Sequence, residues 1–541
     1  MHLHRRTAAI VTVLLTAVGL LVAGSPAKAA KAATATVPVA GTGKATAHSV
    51  TVHSGRVLST AIPGPVLGRD GKPAGPAGTR NASPGAKRPA PPPTPAKPGG
   101  PNTGKAQSVG MQEPKATAGN SKLSDPSFTG ATQANSGCAT CTTPYVTAAV
   151  SATQIAETVN LSLQVFTKSG TRVCAENLTD LLGAIGGLTE PRIQYDNAAH
   201  RYSMVIASTP STSTDVPVFF LAASQADDAC GAWWIYQIVL SGNQYPLGGQ
   251  LNYPYLGQDS TSLLASTNNY TFGSSYLGTG AFAMPKAVAY TGNSFNITTY
   301  SVDFSTAPAV VAGIPTFTTT TTYWVAAVPG TGFDVFSMPT NPAGAITFVG
   351  TAGLGFNPPS RRVRQPGTSD TLNPLDGRIQ SSVVQDGNVV WFANDIDYNG
   401  FPTVLYGAID VTSGQTDTAL AFHSNASDDF SPSIGVSDQG SNTVAVWLNW
   451  AYTDASAGVP VSATINGVSP GNGVPDLAGT DLTLMTGVSA TSINTFGAYS
   501  SVEVDPSASG SCAAGLTALS AQEYFTSASQ WGTVLARTTF C

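Results

Sequence analysis

From Cys138 to the C-terminus, short apolar runs alternate with clusters of Gly, Pro, Asn and Asp. The runs at 160–166, 202–207, 216–221, 233–239, 323–328, 389–393 and 444–448 are rich in Val, Ile, Leu and aromatic residues. Branched and aromatic side chains in runs this short pack well on a pleated, half-buried surface, so each run predicts a strand. Helical periodicity is confined to 178–185, where one short helix is expected. The pattern describes an all-β domain.

A repeat underlies the runs. Segments 191–196, 254–259, 381–386, 432–438 and 500–505 each open on Pro or Ser and close on Asp196, Asp259, Asp386, Asp438 or Asp505, ahead of a turn and a further strand. The intervals between successive Asp are 63, 127, 52 and 67 residues. The long interval fits two units, with a hidden one near 314–328, and the stretch before Cys174 adds another. One four-stranded unit cannot bury both faces, so units at this spacing stack around an axis. The expected fold class is a β-propeller of about seven blades, six being the other count that the spacing allows. Each Asp should accept backbone N–H groups and fix a hairpin.

Composition divides the chain into three parts. Residues 1–29 combine a basic start, an uncharged apolar stretch from Thr7 to Gly24 and the small-residue site Ala27-Lys28-Ala29, which together read as a signal peptide. Residues 30–136 hold 15 Pro and 15 Gly, no Trp or Tyr, and Phe128 as their one aromatic residue. So little apolar side-chain area cannot offset the entropy of ordering, and a disordered, basic Pro/Gly-rich linker is expected. Residues 137–541 carry 10 Lys/Arg against 27 Asp/Glu. Phosphate binding needs a cationic face, so a nucleic-acid partner is excluded for this propeller domain. No later apolar run of spanning length follows, and the mature chain is expected to lack an integral membrane segment. It is expected to be secreted as a monomer, or loosely associated with the cell wall through the linker.

All six cysteines lie in the third part, and an even number in an exported chain implies disulfides. Strands at 516–525 and 531–540 flank a turn and bring Cys541 opposite Gly515, which predicts Cys512–Cys541. Cys174–Cys230 and Cys138–Cys141 are then the remaining pairs among fifteen formal connectivities.

Candidate chemistry is sparse. Asp395, Asp397, Asn399 and Gly400 have the spacing of a loop that wraps a hard cation, which makes calcium the one candidate cofactor. Asn399-Gly400 is equally the sequence of a tight hairpin turn, and the bidentate acid of a strong calcium loop is missing. Asp227-Asp228 and Asp428-Asp429 read as solvated loop charge, and Arg361-Arg362-Val363-Arg364 as an exposed connection. His200 and His423 are the only histidines after residue 137, and no nucleophile elbow, phosphate loop or zinc-protease motif occurs. No residue is assigned as catalytic. The expected function is an extracellular binding module whose loops meet a glycan or protein partner. The alternative is a glycoside hydrolase or polysaccharide lyase that places Glu503 or Glu523 and loop aspartates in a central pocket.

Segments 192–202 (Arg-Ile-Gln-Tyr-Asp-Asn-Ala-Ala-His-Arg-Tyr), 252–259, 267–270, 496–506, 522–524 and 531–536 resemble exported bacterial propeller-type proteins of unassigned activity. The resemblance covers most of 140–541 and implies fold and compartment, with no reaction attached. Ala498 stands where that group more usually has an acidic residue.

Overall fold

The computed structural model describes residues 119–541, apart from short internal stretches, together with strands Ala47–Val52 and Arg56–Ser59. The expected signal peptide and most of the expected linker lie outside the described residues.

Each apolar run becomes a strand, and successive strands pair antiparallel in groups of four. The first strands of the seven groups are Val146–Val150, Gly187–Asp196, Gln250–Gln258, Ala307–Val311, Val383–Asp386, Asp428–Asp438 and Ser501–Val504. Each of these packs beside the next, and the seventh packs beside the first, so the ring is complete. This is a seven-bladed β-propeller. Between blades 3, 4 and 5 the first strands come close enough to pair in parallel, through Gln258↔Val310 and Ala309↔Val383. Gly257 and Gly435 mark the tightest approaches: a Cβ would lie 2.4 Å from Ala309 O at Gly257 and 2.4 Å from Val502 Cγ1 at Gly435.

The hidden fourth unit begins earlier than its sequence suggests, at Ala307–Val311, with Thr321–Val328 as its second strand. The short helix is Leu178–Leu182, N-capped by the Asn177 side chain and ended by Gly183 in the left-handed conformation. Apolar layers fill the spaces between blades, with Trp233, Trp324, Trp447, Trp450 and Trp531 almost wholly buried.

The folded part begins before residue 137. Phe128–Thr132 pairs with Gln530–Thr539 as the outer strand of blade 7, and Phe128 packs on Phe166. The last blade is thus assembled from both ends of the domain. Ala47–Val52 and Arg56–Ser59 add edge strands to blades 3 and 2.

All three expected disulfides are present. Cys174–Cys230 ties blade 1 to blade 2 and Cys512–Cys541 fastens the chain end. Loops of this length stabilise by about 4 kcal/mol each on the chain-entropy account. Among the described residues no helix is long and apolar enough to cross a membrane.

Candidate functional site: the central channel and its two ends

The first strands line a channel along the axis. Its cavity of about 140 Å³ is walled by aliphatic side chains, including Ile193, Val310, Val384 and Val502, interspersed with Gln194, Gln258, several serines and Glu503. Side chains at the strand ends, such as Asn197, Glu503 and Pro506, are partly exposed, whereas Arg192, just past the bulge in its strand, and Ser381 and Ser500, just ahead of theirs, are buried. The channel is therefore blind at the strand-start end and open at the other.

The blind end is closed by a packed group of cations and tyrosines. Arg192 lies 3.6 Å from the Tyr499 ring centre and 5.0 Å from that of Tyr255, and donates to Pro254 O (2.9 Å) and Gln380 O (2.6 Å). Tyr499 donates to Glu190 at 2.7 Å, and the Tyr253 N–H donates to the same carboxylate. Arg378 lies over Tyr253 (3.9 Å) and makes two 2.6 Å bonds to Asp376. Glu190, Tyr253 and Ser431 each have positive φ (62°, 54° and 55°) and precede a proline, and pairing slips there by a residue in each blade. A non-glycine residue in that region costs about 1–3 kcal/mol and persists only where its surroundings fix it. The bulge turns each chain across the axis, which is how side chains from separate blades meet there.

Two connections lie over this end, 353–382 between blades 4 and 5 and 486–500 between blades 6 and 7. They are tied together by a reciprocal pair, Gln365 Nε2 to Thr491 O and Thr491 N to Gln365 Oε1, and by Asn373 N and Arg362 Nη2 donating to Asn494 O. The arginine run is a fastening here rather than a free loop. Arg361 and Arg364 both bond Asp428, which is fully buried, and both lie over Phe401. Asp429 is buried too, receiving Trp450 Nε1 and His423 N, and burial lifts its pKa to about 7. The expectation of solvated charge fails at 428–429 because the strand Asp428–Asp438 already includes both residues, ahead of the Pro432 at which the repeat segment opens. Asp227 and Asp228 are likewise bonded, to Tyr195 Oη and to Gln154 Nε2 with Cys230 N.

The calcium spacing resolves as a hairpin. Asn399 and Gly400 have φ of 54° and 81° and turn the chain between Tyr398 and its partner Phe401. Asp397 accepts from Gly400 N and Ser360 N, while Asp395 lies in the strand and accepts from Gln380 Nε2 and Ser431 N. Asp395 and Asp397 therefore accept bonds from separate groups, and Asn399 supplies the turn. Among the described residues no group of three or more His, Cys, Asp or Glu is placed to hold a metal ion.

At the open end the repeat aspartates behave as hairpin anchors. Asp196 accepts from Ala198 N and Ala199 N, Asp259 from Thr261 N and Ser262 N, and Asp505 from Ser507 N. They also join blades: Lys286 reaches Asp196 at 2.6 Å, Thr322 reaches Asp259, and Lys168 reaches Asp505 at 2.7 Å. Asp386 is held differently, with burial and the nearby charge of Asp438 raising its pKa to about 6.

The two glutamates of the enzymatic alternative part company. Glu523 is buried between blades 7 and 1, facing Val146 N. Glu503 lines the channel, with one oxygen accepting from Tyr195 N (2.8 Å) and the other from Val150 N (3.0 Å). Loss of hydration raises its pKa to about 8, against the pull of those two N–H groups. Among the described residues, Glu503 is the one acid in the lining of the open channel.

The blind-end group escapes a motif search because its members come from blades 2 and 3 and from two connections far apart in sequence. The prolines opening segments 191–196, 254–259 and 432–438 are its one trace in the sequence.

No family model and no curated protein matches the chain. Solved structures that align with it include a Trypanosoma rangeli sialidase (11% identity, 68% of this chain and 56% of that one, TM-score 0.35) and a GH43 endo-arabinanase from Bacillus licheniformis (13%, 59% and 92%, 0.26). A Synechocystis apocarotenoid oxygenase also aligns (10%, 62% and 74%, 0.31). This chain thus spans little more than half of the sialidase. Likenesses of this degree carry no information on what the chain acts upon.

Proposed function

We propose that this propeller is an extracellular binding module for a glycan or protein partner. The observation that carries the reading is the construction of the axis: it is blind, stopped by Arg192, Tyr255 and Tyr499, and its open part offers one carboxylate. A glycosidase of the usual kind needs two, about 5–10 Å apart across the bond it breaks. A cavity of about 140 Å³ is also below the usual range for sites that enclose a whole ligand, roughly 300–1,000 Å³. Three disulfides support residence outside the reducing cytosol.

A second reading, a carbohydrate-active enzyme, is favoured by one specific arrangement. Tyr499 donates to Glu190 beside the Arg192 cation, which is how a tyrosine nucleophile and its base are placed, and Asp395 and Asp429 nearby are pushed up by burial. It requires the connections 353–382 and 486–500 to open, because Glu190, Arg192 and Tyr499 are at most 4% exposed.

The test is incubation of the mature chain with a panel of polysaccharides, scoring retention and release of reducing ends together. Retention without release is expected. Release that disappears in Tyr499→Phe would replace the first reading with the second, and neither retention nor release from any glycan would leave only a protein partner.

A further inference from the structure

We propose that the open half of the channel is a binding site for a small aliphatic amine in its ammonium form. The inference is separate from the question of which larger partner meets the loops.

Acceptors outnumber donors on the channel wall. Gln194 is 6% exposed and lines the cavity; its Nε2 is held by Gly257 O, while its Oε1 has no partner among the described residues. Ser433, 1% exposed and also on the wall, has an unpartnered hydroxyl. Glu503 uses one acceptor direction on each oxygen for Tyr195 N and Val150 N. A carboxylate has about four such directions, so about two remain. Buried acceptors left without donors are costly, and a ligand rich in N–H groups relieves them.

Charge favours a cationic ligand as well. The cation nearest the axis, Arg192, is already bonded to Pro254 O and Gln380 O at the blind end. Lys168, Arg537 and Lys286 around the open end are drawn outward to Asp505 and Asp196. The groups that face Glu503 from its neighbours are Asp505 on its own strand and the Tyr202 phenol of blade 2, neither of which is cationic. Loss of hydration by itself keeps Glu503 protonated; an arriving ammonium supplies the missing counter-charge, favours the carboxylate form and gains from walls that strengthen the attraction.

The shape and lining of the channel fit an alkyl chain. Ile193, Val310, Val384, Val436, Val502 and Val504 give aliphatic walls that suit an alkyl chain and offer nothing to a sugar ring's hydroxyl groups. An alkylammonium satisfies both features of the cavity at once.

The experiment is calorimetric titration of the mature chain with butylammonium, 1-butanol and butyrate, repeated with Nα-acetyl-lysine amide to separate a free amine from a lysine side chain. Butylammonium is expected to bind one per chain, with the alcohol at least tenfold weaker and butyrate not bound. Glu503→Gln is expected to reduce the affinity at least tenfold. Val502→Phe, which fills the channel without touching the carboxylate, is expected to abolish binding while circular dichroism and melting remain those of a folded propeller. Equal binding of alcohol and ammonium, no binding of ammonium, or binding retained in folded Val502→Phe would each overturn the proposal. A glycan retained in the panel described above has no bearing on these outcomes, so the two readings can fail separately.

Discussion

The seven first strands run the same way along the axis, and the two ends of the wheel they define are built from different chemistry. Where they begin, Arg192 and Arg378 are packed among Tyr253, Tyr255 and Tyr499 under two crossing connections, and nothing there reaches solvent freely. Where they finish, aspartates anchor hairpins and meet lysines from the next blade, around an opening. At the first end Arg192 is held by ring faces and carbonyls from several parts of the ring, and Arg378 adds an ion pair to Asp376 within its own connection. Ion pairs at the second end join one blade to its neighbour. The first end therefore registers the whole ring, and the second registers it pair by pair.

That contrast predicts a graded set of losses. Arg192→Ala removes a buried cation and leaves two carbonyls and two aromatic faces without a partner, and should cost roughly 3–5 kcal/mol in denaturant unfolding. Lys286→Met at the other end should cost less, about 2–3 kcal/mol, because Asp196 keeps the two turn N–H groups and the Tyr290 hydroxyl. Equal losses would erase the distinction between the ends.

A third, smaller effect is on pH. Glu157, Asp303, Asp429 and Glu503 all have pKa values raised by burial, to about 7, 8, 7 and 8. A carboxyl group with a raised folded-state pKa contributes stability that is complete below its unfolded value, near 4, and lost as pH rises through the folded value. Melting temperature should therefore fall between pH 5 and pH 8.5. Asp303→Asn, which removes the like charge facing Asp334, should flatten the upper part of that decline. The smallest expected change is at Asp386, where replacement by Asn should remove the slope between pH 4 and about 6 without affecting the rest.

The open end was the more legible in sequence. Asp196, Asp259 and Asp505 act through N–H groups two or three residues away, and the Cys512–Cys541 pair follows from one hairpin register, so local pattern suffices. The blind end depends on distance along the chain. Arg192 meets Gln380 and Tyr499, 188 and 307 residues away, and such a group exists only after the ring has formed. Composition also misjudges 119–136: Phe128–Thr132 has too little apolar area to fold alone, yet it is ordered against an edge that the last hairpin supplies. Asp395 and Asp397 show a spacing that reads both as a ligand loop and as a hairpin, and strand pairing gives the hairpin.

The fourth strand of blade 7 carries a consequence for assembly. During synthesis Phe128–Thr132 emerges first and then waits for a partner about four hundred positions behind it. The circle cannot be latched until Gln530–Thr539 has appeared, and contacts so remote in sequence form slowly. A molecule cut short by a few dozen residues would thus be left as an open arc with both terminal edges unsealed, ready to join another such arc.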